Sequence, residues 1–309
     1  TRAALRVGKE AALFVPSGTF GNQLALFTWC PRGTEVILGE QCHIIEHEAG
    51  APAVIAGVQL RPVDAPDGVL DPEAIAARVR SDDIHHPETS LVCMENAHSS
   101  GRVVPLESMD AVYGLAKSRG LHVHLDGARL FNAAAALGVP AAEVAARADS
   151  VMFCLSKGLC APVGSILAGP RDFIAAARRK RKIMGGGLRQ AGILAAAGLI
   201  ALDEMTGRLG EDHENARELA RLLAAIPGVS LDPKSVEINM VYFRLETAGD
   251  PGLFAEGLVA AMRERGILIN PPDKGEYRFV THYWIDRSRV QATARAFAEV
   301  LAQSRSEAK

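Results

Sequence analysis

Lys157 is the residue whose setting most favours nucleophilic chemistry. It lies in residues 155–159 (LSKGL), directly after an apolar segment that predicts a strand. A lysine amine among apolar neighbours gives up its proton more easily and can attack a carbonyl carbon. A strand-end lysine whose head group reaches solvent is the commoner structure behind such a run. The run alone therefore leaves both interpretations open.

A carboxylate stands in a comparable place in residues 124–129 (HLDGAR). Asp126 comes where an apolar strand ends, and ligands of open α/β sheets gather at the carboxyl ends of strands. A carboxylate there can hold a cationic ring nitrogen and raise the pKa of that nitrogen. His122, His124 and Asp126 share one face of the strand, so a metal site is an alternative. A second alternative is that His122 and His124 are hydrogen-bonded residues of the protein core.

Two further segments are typical of phosphate binding. Residues 17–22 (SGTFGN) follow a predicted strand and open a helix, where backbone N–H groups attract a negative charge, although a plain N-cap turn gives the same pattern. Five consecutive basic residues at 178–182 resemble a nucleic-acid patch. The near-neutral charge and the lack of interleaved aromatic residues favour a solvated helix face instead. Residues 185–190 (GGGLRQ), with Arg189, indicate a second phosphate contact.

Two histidines lie in residues 43–50 (HIIEHEAG). An imidazole such as that of His43 can stack on a planar cofactor or transfer a proton near neutral pH, although a surface helix also explains the spacing. Together these groups supply what pyridoxal phosphate requires: an amine for its aldehyde, a carboxylate for its ring nitrogen, a stacking ring, and amides and cations for its phosphate.

The elements that must position these residues alternate between apolar strands and amphipathic helices. Predicted strands are residues 12–15, 35–38, 91–94, 121–125, 150–154 and 163–167, with helices such as 72–80, 106–118 and 171–182. This alternation predicts a mainly parallel sheet covered by helices on both faces. After Met205, helices at 211–225, 251–265 and 288–303 are interleaved with strands at 238–245 and 277–283. We therefore predict a large α/β domain over residues 1–205 and a smaller α+β domain over residues 206–309.

Composition excludes several classes of protein. The 309 residues carry a formal net charge of −2, which gives no global field for nucleic acid or anionic lipid. No apolar run reaches the roughly 18 residues that a membrane helix needs. The five cysteines form no CxxC pair, so neither a disulfide framework nor a zinc ribbon is indicated. Such cysteines are typical of a reducing compartment, and we expect a soluble protein in the cytoplasm.

Six segments occur in an order that points to one family: KEAALFVPSGTFGN, HIIEHEAG, HLDGARLFNA, CLSKGLCAPVGS, GGGLRQAG and RFVTHY. Between residue 9 and about residue 287 the chain closely resembles the low-specificity L-threonine aldolases, which are pyridoxal-phosphate enzymes of fold type I. No single segment is specific, but the ordered set is. The resemblance implies a transferase-like α/β/α domain around the mainly parallel sheet, followed by the smaller α+β domain.

The resemblance also implies which residues hold the cofactor. Lys157 would form a Schiff base with pyridoxal phosphate, Asp126 would pair with its ring nitrogen, and His43 would stack on the ring near the reacting hydroxyl. The family sends part of its phosphate site across a subunit interface, and we expect a homotetramer built as a dimer of dimers. The implied phosphate ligands are Gly18, Thr19, Lys182 and Arg189.

On the substrate side, the resemblance implies that Arg129 and Arg278 bind the carboxylate. His85 matches a second histidine that the family places near the substrate. The implied reaction is retro-aldol cleavage of L-threonine, L-allo-threonine and related β-hydroxy-α-amino acids to glycine and an aldehyde. The hydroxyl proton would go to His43, His85 or a bound water, and the sequence does not choose among them.

The chain departs from the family pattern in three places. Phe20 replaces a methionine, and His47 stands where an aromatic residue is usual and would change the pocket for the substrate side chain. The family's upstream segment, with its Arg-Ser-Asp-Thr motif, would precede the first residue, so we expect a fragment or an impaired protein. Three alternatives stay open: another pyridoxal-phosphate lyase or aminotransferase, a truncated homologue that binds cofactor weakly, and a metal hydrolase.

Overall fold

The computed structural model describes residues 1–246 and 251–307, with side chains described through residue 304. The chain forms two compact units, Thr1–Leu209 and Gly210–Lys309. Each unit has its own sheet and its own apolar core. None of the helices in the described ranges is long and apolar enough to cross a membrane.

A seven-stranded sheet forms the centre of the first unit. Its strands are β1 (Ala11–Val15), β2 (Glu35–Gly39), β3 (Gln59–Val63), β4 (Thr89–Glu95), β5 (His122–Asp126), β6 (Ser150–Cys154) and β7 (Ser165–Gly169). In space they follow the order β1-β7-β6-β5-β4-β2-β3. β7 pairs antiparallel with β1 and β6, and the other pairs run parallel. The mainly parallel sheet confirms the predicted α/β fold class.

Helices of the first unit pack on both faces of this sheet. They are α1 (Arg2–Arg6), α2 (Gly18–Trp29), α3 (His43–Glu46), α4 (Pro72–Arg78), α5 (Leu106–Ser118), α6 (Leu130–Leu137), α7 (Ala141–Ala145), α8 (Arg171–Ile183) and α9 (Gly192–Ile200). Single π-helical turns lie at Pro52–Ala56 and Ala201–Met205, and 3-10 turns lie at Pro66–Gly68 and Thr206–Arg208.

Alternation along the strands divides the core between the two faces. On β4, for example, Val92 and Met94 join the cluster that α4 to α7 cover, whereas Leu91 and Cys93 join a cluster that includes Leu26 of α2. Successive strand residues point to opposite faces, so a strand covered on both sides must be apolar at nearly every position. This explains why the central strands are continuous apolar runs in the sequence.

The second unit is a smaller α+β arrangement. Its strands are β8 (Val229–Ser230), β9 (Met240–Leu245) and β10 (Tyr277–Val280), in the antiparallel order β10-β9-β8. Its helices are α10 (Leu209–Ala224), α11 (Pro251–Glu264) and α12 (Arg287–Glu307). The core is built around Phe243, whose ring lies 5.6 Å from that of Phe279 and 5.4 Å from that of Phe297.

Candidate active site

The carboxyl ends of four neighbouring strands bring three of the predicted site residues to one edge of the first unit's sheet. Asp126 ends β5 and pairs in register with Glu95, which ends β4. His43 begins α3 shortly after β2, and Lys157 follows β6. Parallel strands end at a common edge, so residues from four distant segments converge there. Charges on Asp126 and Lys157 both act on the pKa of His43, as expected for neighbours.

His43 is held by its backbone and by its ring. Its backbone N–H donates to Oε2 of Glu95 over 2.8 Å. Its ring Nδ1 lies 3.0 Å from Oε1 of Glu48, so Nδ1–H donates to that carboxylate and Nε2 is directed elsewhere. The hydrogen bond to Glu48, reinforced by the charge of Asp126, raises the pKa of His43, while burial and Lys157 oppose the rise. The imidazole therefore has a fixed tautomer and orientation.

Glu48 is a fully buried carboxylate that joins α2 to His43. Besides the bond from His43, it accepts hydrogen bonds from Nδ2 of Asn22 over 2.9 Å and from Nε2 of Gln23 over 2.5 Å. Both amides lie on α2 and are fully buried. Neutral amides thus satisfy this carboxylate without compensating its charge.

Asp126 has the same character. Its Oδ1 accepts the backbone N–H of Ala128 over 3.0 Å, and its Oδ2 accepts Nδ2 of Asn22 over 2.7 Å. The carboxylate is only 2% exposed. Within residues 1–246 and 251–307 it makes no hydrogen bond or ion pair with a lysine or an arginine. A buried carboxylate with spare acceptor capacity and no cation fits the protonated ring nitrogen of pyridoxal phosphate.

Glu95 is a third buried carboxylate at this edge. It accepts hydrogen bonds from the hydroxyl of Ser99 and from the backbone of His43, and Nε2 of His98 lies 3.9 Å away. Burial, and then the charge of Asp126, raise the pKa of Glu95 to about 7. Glu95 can therefore hold a proton near neutral pH, unlike an exposed glutamate.

The predicted phosphate turn forms the N-terminus of α2. Ser17 caps the helix, because its hydroxyl accepts the backbone N–H of Phe20 over 3.1 Å, and Gly18 is the first helical residue. A Cβ on Gly18 would lie 3.0 Å from Sγ of Cys154, so the turn sits tightly on the end of β6. Gly186 packs against the ring of Phe20. The glycine run therefore borders this turn, and the two form a cradle suited to a phosphate.

Four further cofactor and substrate candidates of the first unit lie on α2, at the start of α6, on α8 and just before α9. Thr19 is half-buried in the first turn of α2, and Arg129 is half-buried at the start of α6, where its charge acts on the thiol of Cys154. Lys182, near the end of α8, and Arg189, before α9, are both exposed.

Two further candidates lie on the loop before β4 and on β10. His85 is exposed on the loop before β4, where its backbone N–H donates to Asp83 over 2.8 Å. Arg278 belongs to β10 in the second unit, where it is exposed and donates to the hydroxyl of Tyr242 over 3.3 Å. Their roles stay predictions.

The alternative metal set of His122, His124 and Asp126 does not assemble. The ring of His122 stacks on that of Trp29, with 3.9 Å between centroids. His124 has both ring nitrogens engaged, by Ser150 Oγ at 2.9 Å and Asn22 Oδ1 at 3.2 Å. Among the residues described, the group with metal-ligand spacing is instead His43, Glu48 and Asp126, whose ligand atoms lie within 4.8 Å of one another. That group coincides with the cluster already described.

Sequence reasoning assigned no role to three residues of this cluster: Asn22, Glu48 and Glu95. Asn22 and Glu48 stand inside segments that drew attention for other residues, and their spacing carries no periodic signal. Glu95 had a usable signal, because it ends an apolar strand in the same way as Asp126.

Comparisons with known proteins identify the family of this chain. The family model described as "Beta-eliminating lyase" matches residues 1–246. A protein of Arabidopsis thaliana named "Probable low-specificity L-threonine aldolase 2" is 44% identical over 299 residues, which cover 95% of this chain and 84% of that protein. The "Low specificity L-threonine aldolase" of Escherichia coli (strain K12) is 41% identical over 302 residues, covering 97% and 87% of the two chains.

A solved structure agrees with these sequence matches. The structure from Exiguobacterium sp. 255-15, described as a putative aromatic amino acid beta-eliminating lyase/threonine aldolase, superposes with a TM-score of 0.81 and 25% sequence identity. The superposition covers 97% of this chain and 85% of that one.

Proposed function

The chain belongs to the beta-eliminating lyase family, among relatives named low-specificity L-threonine aldolases, and we propose that it cleaves L-threonine, L-allo-threonine and related β-hydroxy-α-amino acids to glycine and an aldehyde. It is a pyridoxal-phosphate-dependent lyase. The observation that carries the proposal within the site is Asp126, a buried carboxylate whose described hydrogen-bond partners are all neutral. Its charge suits the cationic ring of the cofactor.

Bound pyridoxal phosphate supplies an electron sink for cleavage of the bond between Cα and Cβ of the substrate. Lys157 offers the amine that attaches the cofactor aldehyde, and Asp126 receives its ring N–H. Gly18 and Thr19, at the N-terminus of α2, bind the phosphate together with Lys182 and Arg189. The cradle between α2 and the glycine run supports this assignment.

His43 accepts the proton of the substrate β-hydroxyl. Its Nδ1 is occupied by Glu48, which leaves Nε2 as the nitrogen that can take up a proton. His85 would assist on the substrate side, and Arg129 and Arg278 would bind the substrate carboxylate, since a guanidinium matches a carboxylate in a two-point contact. The described hydrogen bonds support His43 more strongly than His85, because those of His43 tie it to Glu48 and Glu95.

Product analysis tests this proposal. Purified protein is incubated with L-threonine, L-allo-threonine and phenylserine, with and without added pyridoxal phosphate. Glycine with acetaldehyde or benzaldehyde is expected. Formation of 2-oxobutyrate and ammonia from threonine, with no aldehyde, would contradict the proposal and indicate an eliminating lyase.

A lysine pair provides the matched control. Lys157→Ala is expected to abolish both the visible absorbance of the bound cofactor and glycine formation, because the attaching amine is lost. Lys234→Ala changes an exposed lysine of the second unit and is expected to leave both unchanged. A wild-type protein that stays colourless after incubation with cofactor would contradict the proposed function.

We also propose that the protein is a homo-oligomer, a homotetramer built as a dimer of dimers. Helix α9 contains no charged residue, yet Ile193 is 82% exposed, Leu199 47% and Ile200 55%. Exposed apolar surface of this kind is typical of a protein interface. Gly198, the buried residue of α9, packs on Leu155, so α9 lies beside the segment that contains Lys157.

Light scattering coupled to gel filtration tests the assembly. A mass of four chains is expected for the wild type, and Ile193→Asp is expected to lower it, because a charge on the apolar face costs free energy on burial. A monomeric wild-type protein would contradict this part of the proposal.

A cytoplasmic location is proposed from the five free thiols, which suit a reducing compartment.

A further inference from the structure

A row of polar side chains runs between α2 and the strands β6 and β5 to Asp126. Nε1 of Trp29 lies 2.8 Å from Oγ of Ser150, and that oxygen lies 2.9 Å from Nδ1 of His124. Nε2 of His124 lies 3.2 Å from Oδ1 of Asn22, whose Nδ2 lies 2.7 Å from Asp126. Ser150, His124 and Asn22 are fully buried.

The direction of every hydrogen bond in this row is determined. Nδ2 of Asn22 faces the carboxylates of Asp126 and Glu48, which only accept, so its Oδ1 must face His124. His124 therefore carries its proton on Nε2. Burial lowers the pKa of His124 to about 4, so the ring is neutral and Nδ1 is an acceptor.

The remaining two bonds follow from the first two. Ser150 must donate its hydroxyl proton to Nδ1 of His124, and its oxygen then accepts the N–H of Trp29. An indole nitrogen is a donor only, so Trp29 fits the end of the row and no other place in it. The opposite order would leave the hydroxyl hydrogen of Ser150 buried without an acceptor in the row, which is unfavourable.

We propose that Trp29, Ser150, His124 and Asn22 are positioning residues, which form a one-way hydrogen-bond chain that holds the Asp126 carboxylate for the ring nitrogen of the cofactor. The proposal rests on the proposed function and adds residues that touch neither substrate nor cofactor. All four donors point toward Asp126, so each bond polarises the next in the same sense. The chain ends on Oδ2 of Asp126 and so fixes the orientation of that carboxylate.

A test of the hydrogen-bond chain must leave the charged side chains near Asp126 in place. Lys157 acts on the pKa values of His43 and Cys154 in the same region. Substitutions at Trp29 and Ser150 leave the side chains of Lys157, His43 and Cys154 in place. The groups whose pKa responds to the charge of Asp126 are Cys42, His43, Cys93, Glu95, His98, His124 and Cys154.

The first experiment reads His124 directly. In protein labelled with ¹⁵N-histidine, His124 is expected to stay neutral with its proton on Nε2 between pH 5 and pH 9. This measurement needs no cofactor. A proton on Nδ1, or a charged ring at pH 7, would overturn the direction of the chain.

The second experiment reads the ring nitrogen. Holoenzyme is prepared with ¹⁵N-labelled pyridoxal phosphate, and the nitrogen shift is followed against pH. Ser150→Ala is expected to make the ring nitrogen lose its proton about one pH unit earlier and to weaken cofactor binding about tenfold, since one buried hydrogen bond is removed. Trp29→Phe, which keeps an aromatic ring for stacking on His122 and Phe173, is expected to give a smaller change in the same direction.

Ser90→Ala is the matched control. The hydroxyl of Ser90 is also buried, on β4, and has no hydrogen-bond partner among the described residues. It is expected to leave the ring-nitrogen titration unchanged. Identical titrations in wild type, Ser150→Ala and Trp29→Phe would overturn the chain while leaving the proposed function intact. A wild-type protein that takes up no pyridoxal phosphate would overturn the proposed function and the chain with it.

Discussion

The two ends of the seven-stranded sheet both hold buried carboxylates, but they treat the negative charge differently. At the amino end, Glu35 at the start of β2 accepts from Nε of Arg80 over 3.1 Å and lies 3.4 Å from Nη1 of Arg61. Asp149, just before β6, pairs with Lys117 over 3.0 Å. Each of these two carboxylates has a basic side chain as its partner.

At the carboxyl end, Asp126, Glu48 and Glu95 are satisfied by amides, a hydroxyl, backbone N–H groups and His43. In the described ranges none of the three pairs with a lysine or an arginine. Buried charge without a cation is costly, so its presence indicates a site that receives its positive charge from a ligand. The comparison separates carboxylates that are paired with a basic side chain from carboxylates that we propose to serve the cofactor site.

The largest effect is expected from removing the charge at the carboxyl end. Asp126→Asn keeps the shape of the side chain but not its charge, so the cofactor ring nitrogen loses its counter-ion. We expect the rate of glycine formation to fall by on the order of 10²–10³-fold. A steady-state assay measures it, with Glu35→Gln as the control that keeps activity. Full activity in Asp126→Asn would remove the distinction between the two ends.

Stability is expected to respond in the opposite way. Glu35→Gln leaves Arg61 and Arg80 without their carboxylate and should lower the free energy of unfolding by about 1–3 kcal/mol, because both arginines keep partial contact with solvent. Asp126→Asn in cofactor-free protein should leave that free energy unchanged or raise it, because an uncompensated buried charge is removed. Urea unfolding measures both, and a larger loss from Asp126→Asn would contradict the comparison.

Glu95 is expected to make stability depend on pH in an unusual sense. Its pKa is raised from 4.5 to about 7 in the folded protein, so the folded state binds the proton more tightly than the unfolded chain. The contribution is therefore fully present below pH 4.5 and is lost as the pH rises through about 7. Glu95→Gln should flatten this part of the stability curve of the cofactor-free protein. An unchanged curve would show that Glu95 is ionised throughout.

The smallest effect is expected at Glu48. Glu48→Gln can still accept the bond from His43 but lacks the charge, so the raised pKa of His43 should fall toward its ordinary value of 6.5. Because the native pKa is raised, the wild-type contribution to stability is present below pH 6.5 and lost as the pH rises through the raised pKa. The acid limb of the pH–rate profile should therefore move to lower pH. An NMR titration of His43 should show the lower pKa directly. An unmoved limb would exclude His43 as the proton acceptor.

The sequence predicted most of the first unit because its strands are buried on both faces. The six strands predicted for the first unit begin within two residues of β1, β2, β4, β5, β6 and β7, and α5 has the predicted bounds. The sequence pattern did not predict β3, which contains Arg61 and Pro62 and pairs only with β2 at the edge of the sheet. An edge strand tolerates proline and polar residues, so it lacks the apolar run on which the prediction depended.

The site was predicted less completely than the fold. Lys157, Asp126 and His43 were recognisable because each stands beside a strand end or in a distinctive segment. Asn22 and Glu48 act through hydrogen bonds between α2, β5 and the segment after α3. Side-chain contacts of this kind follow from the crossing of elements in space, which local sequence patterns do not encode.

The measurement that tests the central claim most directly is the covalent position of the cofactor. Holoenzyme is reduced with borohydride, which fixes a Schiff base as a stable amine, and the digested protein is mapped by mass spectrometry. We expect the pyridoxyl group on Lys157, in near-stoichiometric amount, with none after Lys157→Ala. A label on another lysine, or no label in protein that has taken up cofactor, would contradict the assignment of this sheet edge as the active site.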